Sequence, residues 1–82
     1  MLSLGFMQAQ TRTTDGELLR DVRNFLDGQH FRAAQRMTIE VIDGVVTLRG
    51  QVKSFYTRQV FVHGCRRLPG VAAVVDDLRV ET

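Results

Sequence analysis

Eighty-two residues with 44% apolar and 24% charged content make one small globular domain, with a single two-layer core and no room for a separate substrate domain. A net charge of +2 is too mild a bias for a dedicated nucleic-acid binder. The lone Cys65 excludes an internal disulfide, and His30 and His63 stand far apart with no Cys/His cluster around them, so neither a metal nor a cofactor is expected.

In chain order, residues 1–13 read as an N-terminal tail and 14–82 as the domain. MLSLGFM at the start is apolar but short. It has no basic n-region and no small-residue cleavage site, and no apolar run nears the ~20 residues of a membrane span. Thr14 and Glu17 form an S/T-x-x-E capping box, and Leu18, Leu19, Val22, Phe25 and Leu26 recur on one face, which predicts a helix over 15–27. Gly28 follows where a left-handed C-terminal residue is expected. Residues 29–36 read as a connector, with Phe31 or Ala33–Ala34 packing down.

Met37 to Ile42 and Val45 to Val52 alternate apolar and polar side chains, the pattern of strands with one buried face. Asp43-Gly44 between them suits a two-residue type I′ turn. That turn sets Ile42 opposite Val45, Val41 opposite Val46, Glu40 opposite Thr47 and Ile39 opposite Leu48. Inward residues then meet inward residues, and a slip of one position would turn a strand inside out. The two glycines of VIDGVVTLRGQV are therefore hairpin glycines. No Lys-Ser/Thr follows them as a phosphate-binding loop requires, and Gly50 reads as a bulge or a close pass of the second helix.

Ser54 is placed to cap that helix, over roughly 55–68. Tyr56, Val60, Gly64 and Leu68, flanked by Thr57 and Phe61, read as its core row. Phe55, Arg58, Gln59, Val62, His63 and Arg66 read as its outer side. Gly64 costs about 1 kcal/mol in a helix, so a close approach to the sheet or to the first helix is expected there. Pro69-Gly70 ends the helix, and residues 71–80 read as the last strand. Asp76 falls in the inward row with Val74, Leu78 and Val80. A bulge, or a backbone N–H within reach of its oxygens, would account for it. The expected class is α+β: a two-layer αββαβ fold, a three-stranded sheet with two helices packed on one face. The other face carries Thr38, Glu40, Thr47, Arg49, Gln51, Asp77 and Arg79 and should be wet.

Asp43, Gly44 and Gly50, set among Val41, Val46, Leu48 and Val52, and then Gly70 and Val71 ahead of Val74, Leu78 and Val80, form a two-part signature. With the helices between, it resembles the BON domain, named for bacterial osmotically inducible and nodulation proteins, from Asp15 to Glu81. The resemblance implies the αββαβ fold, no catalytic residues, and an association with anionic phospholipids and envelope integrity. Some members of the family bind other ligands or serve as attached regulatory modules. Members often carry a signal peptide and a second tandem copy, and the position before Arg66 is often alanine where this chain has Cys65. The expected compartment therefore divides: cytoplasmic from the chain as written, periplasm or envelope from the resemblance.

The functional expectation is a non-catalytic module on an anionic phospholipid or membrane surface. Lys53, Phe55, Arg58, Val62, Arg66 and Arg67 would carry it, since cations beside exposed apolar groups suit a headgroup interface. The alternative is protein–protein interaction or self-association, with MLSLGFM as a homo-oligomer contact. Nucleic acid is disfavoured as a partner: Arg12, Arg32, Arg36, Arg49 and Arg79 could track phosphates, but acidic residues interleave with them. An enzyme is not expected. Asp76 and Asp77 are adjacent strand residues, so they point to opposite faces and make a poor acid/base dyad.

Overall fold

The computed structural model of the chain describes residues 14–29 and 32–81. The MLSLGFM tail and Phe31 lie outside them. The elements are α1 (Asp15–Gly28), α2 (Arg32–Gln35), β1 (Thr38–Ile42), β2 (Val45–Val52), α3 (Phe55–Arg66) and β3 (Ala73–Val80). The sheet order is β1-β2-β3, antiparallel between β1 and β2 and parallel between β2 and β3. A parallel neighbour cannot be reached by a tight turn, and α3 is the crossover that reaches it.

The hairpin has the expected register, from Ile42 opposite Val45 to Thr38 opposite Arg49. Asp43 (φ 51°) and Gly44 (φ 80°) are both left-handed, as a type I′ turn demands. Two further ties hold its tip. The Asp15 carboxylate accepts the Asp43 N–H at 2.8 Å and the Gly44 N–H at 3.1 Å, and the Gly44 carbonyl accepts the Ala72 N–H at 2.8 Å. One turn thus joins the start of α1 to the lead-in of β3.

The capping box at α1 is formed. Thr14 Oγ1 accepts the Glu17 N–H at 3.1 Å, and Glu17 Oε1 accepts the Thr14 N–H at 3.0 Å. Leu18, Val22 and Leu26 are fully buried on the sheet, together with Val46, Leu48 and Val52 from β2 and Phe61 and Cys65 from α3. Gly28 departs from expectation. It stays within the helix, and right-handed Gln29 (φ −81°) closes α1 with its N–H on the Leu26 and Asp27 carbonyls.

The stretch read as a connector contains the single turn α2, which buries Ala34 and half-buries Ala33. Four residues cannot sustain a helix alone. Arg23 on α1 holds this turn, donating from Nη1 to the Ala34 carbonyl at 2.9 Å and from Nη2 to the Met37 carbonyl at 3.2 Å.

Ser54 caps α3, accepting the Thr57 N–H at 3.1 Å, and the helix ends at Arg66 rather than near 68. Its buried face is turned part-way from the expected one. Thr57 and Phe61 are buried, and Val60 and Leu68 pack half-buried against the core, as expected. The face extends to Val62 and Cys65, which are also buried, and leaves out Tyr56, which is 70% exposed. Burying Phe61, Val62 and Cys65 removes more apolar area from water than burying a row centred on Gly64. Gly64 instead makes room for α1: a Cβ there would lie 1.9 Å from Phe25 Cζ.

β2 and β3 pair without a break from Val45–Ala73 to Val52–Val80, so neither Asp76 nor Gly50 sits in a bulge. Asp76 Oδ1 accepts the Leu78 N–H at 3.1 Å, and Oδ2 accepts Arg58 Nε at 2.7 Å. Gly50 faces Met37 and the Arg36 carbonyl rather than the second helix.

Candidate binding surface

α3 follows directly on β2, so the chain leaves the sheet through Lys53 and Ser54 and turns at once into Phe55 and Tyr56. Both rings point outward, 68% and 70% exposed. With the buried arc on Thr57, Phe61, Val62 and Cys65, the remaining exposed residues are Phe55, Tyr56, Gln59, His63 and Arg66, with Arg67 beyond them. At 100° per residue they span an arc of about 120°. Phe55 and Arg66 stand about 16 Å apart along the axis at 1.5 Å per residue.

The expected stripe is thereby altered. Lys53, Phe55, Arg66 and Arg67 are exposed as anticipated. Val62 is only 6% exposed, because the helix turns it under, and it is not part of the surface. The half-buried guanidinium of Arg58 is engaged by Asp76. Tyr56, assigned by its spacing to the core row, replaces them.

A second feature lies at the same end of the molecule. A cleft of about 540 Å³ opens between α2 and the start of α3. Arg32, Ala33 and Arg36 form one wall, and Lys53 and Thr57 the other. Gly50 and Gln51 border it from β2, and Glu81 from the segment after β3. Gly50 borders it from the inward row of β2, and a Cβ there would meet Met37 Cγ at 3.4 Å. Spacing along the chain does not connect Arg32 and Arg36 with Lys53.

On the open face of the sheet, Arg49 Nε and Asp77 Oδ2 pair at 3.0 Å across β2 and β3, which holds the Arg49 guanidinium above its usual range. Thr38, Glu40, Gln51 and Arg79 are exposed and Thr47 is half-buried. At the hairpin end this face is apolar: Ile42 is 61% and Val75 46% exposed, and Ile42, Val45 and Ala73 share one row of the sheet.

Cys65 is buried, and desolvation pushes its thiol up to about 11, which leaves it a poor nucleophile at neutral pH. Among the described residues no three His, Cys, Asp or Glu side chains come together as a metal site, and no helix is long and apolar enough to cross a membrane.

The remaining signature residues are now accounted for. Pro69-Gly70 is the centre of a turn closed by the Val71 N–H on the Leu68 carbonyl at 3.3 Å, with Gly70 at φ 92°, as a glycine after proline supplies in a type II turn. Gly44 abuts it: a Cβ on Gly44 would lie 3.2 Å from the Gly70 carbonyl oxygen and 3.4 Å from Ala72 Cβ. The two halves of the signature thus meet at one point. The BON domain family model matches residues 14–82. This chain belongs to the BON domain family. BON domains are generally binding modules, and in this one Asp43, Gly44, Gly70 and Val71 build the junction between the hairpin and the lead-in to β3. No curated protein matches the chain.

Proposed function

We propose that this BON domain is a non-catalytic module that docks on anionic phospholipid surfaces, with the exposed arc of α3 lying along the membrane. The observation that carries the reading is the pair Phe55 and Tyr56, 68% and 70% exposed in the first turn of α3 and preceded by Lys53. Two adjacent exposed rings are uncommon on a solvated helix, and aromatic side chains beside cations favour the headgroup level of a bilayer. Arg66 and Arg67 reach the same plane at the far end of the helix. A cation near an anionic surface contributes about 1 kcal/mol. Lys53, Arg66 and Arg67 together then give about 3 kcal/mol, so ring insertion is needed as well and binding weakens with salt. The absence of a catalytic role is part of the same reading: Asp76 is occupied by Arg58 and the Leu78 N–H, and the Cys65 thiol is protonated.

Co-sedimentation with phosphatidylglycerol vesicles, compared with phosphatidylcholine vesicles, tests this. Binding to the anionic vesicles should fall at least tenfold in Phe55→Ser/Tyr56→Ser and several-fold in Arg66→Gln/Arg67→Gln. Equal recovery with both lipids, or no effect of the ring substitutions, defeats the proposal.

The apolar corner formed by Ile42, Val45, Ala73 and Val75 favours a second reading, a protein partner or self-association on the open sheet face. Exposed apolar groups on a face flanked by edge strands are a common contact. Analytical ultracentrifugation of the chain and of Ile42→Lys/Val75→Lys tests self-association; a monomer in both at high micromolar concentration rules it out.

A further inference from the structure

We infer that the cleft between α2 and the start of α3 binds a phosphomonoester group. Its volume, about 540 Å³, lies in the range of small-molecule sites. It is a consequence of the fold: α2, held by Arg23, stands opposite the first turn of α3, with Gly50 and Gln51 of β2 bordering the space.

The charges around this hollow are unbalanced. Among the described residues, Arg32, Arg36 and Lys53 line it against one carboxylate, Glu81. Elsewhere Arg23, Arg49 and Arg58 each have a carboxylate within 4.0 Å. Among the described residues the three cleft cations have none, as is also true of Arg20, Arg66, Arg67 and Arg79. Three positive groups and one negative leave +2 at the site. A phosphomonoester carries close to two negative charges at neutral pH, its second pKa being about 6, whereas a phosphodiester carries one. Guanidinium forks match phosphate oxygens in geometry as well as charge, and lysine adds a point charge. The monoester is the ligand class whose charge closes the site, whether it is a soluble metabolite or the head of a lipid such as phosphatidic acid. The inference goes beyond the membrane reading and shares only Lys53 with it.

The test is an NMR titration of the whole 82-residue chain, following backbone amides. The probes are glycerol 3-phosphate, the phosphodiester glycerophosphoglycerol, and short-chain phosphatidic acid below its micelle concentration. Saturable shifts at Gly50, Gln51 and Thr57 are expected with the monoesters, at least tenfold tighter than with the diester. Arg32→Gln/Arg36→Gln should weaken them tenfold or more while keeping a dispersed, native spectrum, both side chains being exposed. Arg66→Gln/Arg67→Gln should leave them unchanged. Binding of glycerol 3-phosphate supports a soluble ligand, and binding of phosphatidic acid alone supports a lipid head. Absence of saturable shifts at Gly50 with either monoester, or equal affinity for the diester, overturns the inference. Vesicle binding separates the two readings: a cleft that fails here leaves ring-dependent vesicle binding intact, and failed vesicle binding leaves the Gly50 shifts intact.

Discussion

Arg58 Nε lies 2.7 Å from Asp76 Oδ2, an ion pair that ties the crossover helix to the inward row of the last strand. It turns an acidic residue on a buried row into a link between α3 and β3. It also withdraws Arg58 from any surface role.

The pair is partly exposed, so its worth is discounted for solvent screening. Arg58→Ala should cost about 1 kcal/mol, read as a lower urea midpoint, and a double-mutant cycle with Asp76→Ala should recover a coupling of similar size. Phosphatidylglycerol vesicle binding should be unchanged in Arg58→Ala, which a lipid-contacting Arg58 would not permit.

Gly64 and Phe25 make a second prediction. Gly64→Ala improves helix propensity by about 1 kcal/mol, but its Cβ would overlap the tip of the Phe25 ring, 1.9 Å from Cζ. Overpacking of that kind costs about 1–3 kcal/mol, so Gly64→Ala should destabilise the domain on balance. Phe25→Leu/Gly64→Ala should be more stable than the sum of the two single changes predicts; strict additivity would mean the ring and the glycine do not meet.

How much of this was legible depends on where the information sits in the chain. The hairpin register was, because the Asp43-Gly44 turn and the alternation on both sides of it are local and agree. The capping box of Thr14 and Glu17 was too, for the same reason. The facing of α3 was legible only in part: Val60, Phe61, Val62, Cys65 and Leu68 spread apolar groups around most of the helix, and only the sheet and Phe25 choose among the possible faces. α2 has no periodic signal because a tertiary contact from Arg23 maintains it. The cleft collects cations on both sides of the hairpin, so no spacing rule joins Arg32 and Arg36 to Lys53.

Cys65 supplies a prediction from burial. With its thiol pushed up to about 11, the native protein should react with an aromatic disulfide reagent at pH 8 far more slowly than the urea-unfolded chain, by a hundredfold or more on the order of the shift. A folded value raised above the ordinary 9.0 contributes stability that is fully present below pH 9 and lost as pH rises through about 11. Cys65→Ala should remove that alkaline loss. Fast native labelling would show that the thiol is accessible.

Acid pH acts through the first turn of α1. The Thr14 N–H and the Thr14 hydroxyl, the latter at 2.9 Å, both donate to Glu17 Oε1 and hold the Glu17 carboxyl below its ordinary 4.5. A lowered folded value means stability present above 4.5 and lost as pH falls through the folded value. Glu17→Gln should flatten that part of the acid unfolding curve, and an unchanged curve would contradict the assignment. Asp15→Ala, which leaves the Asp43 and Gly44 N–H groups without their shared acceptor, should cost about 1–2 kcal/mol near neutral pH.

The chain has one tyrosine and no tryptophan, so its tyrosine emission reports Tyr56 alone. Quenching of that emission by vesicles with brominated acyl chains tests membrane docking most directly. The account predicts quenching with brominated phosphatidylglycerol, little with brominated phosphatidylcholine, and protection of Tyr56 from aqueous iodide in the first case. Tyr56 left unquenched by either lipid and open to iodide throughout would contradict it.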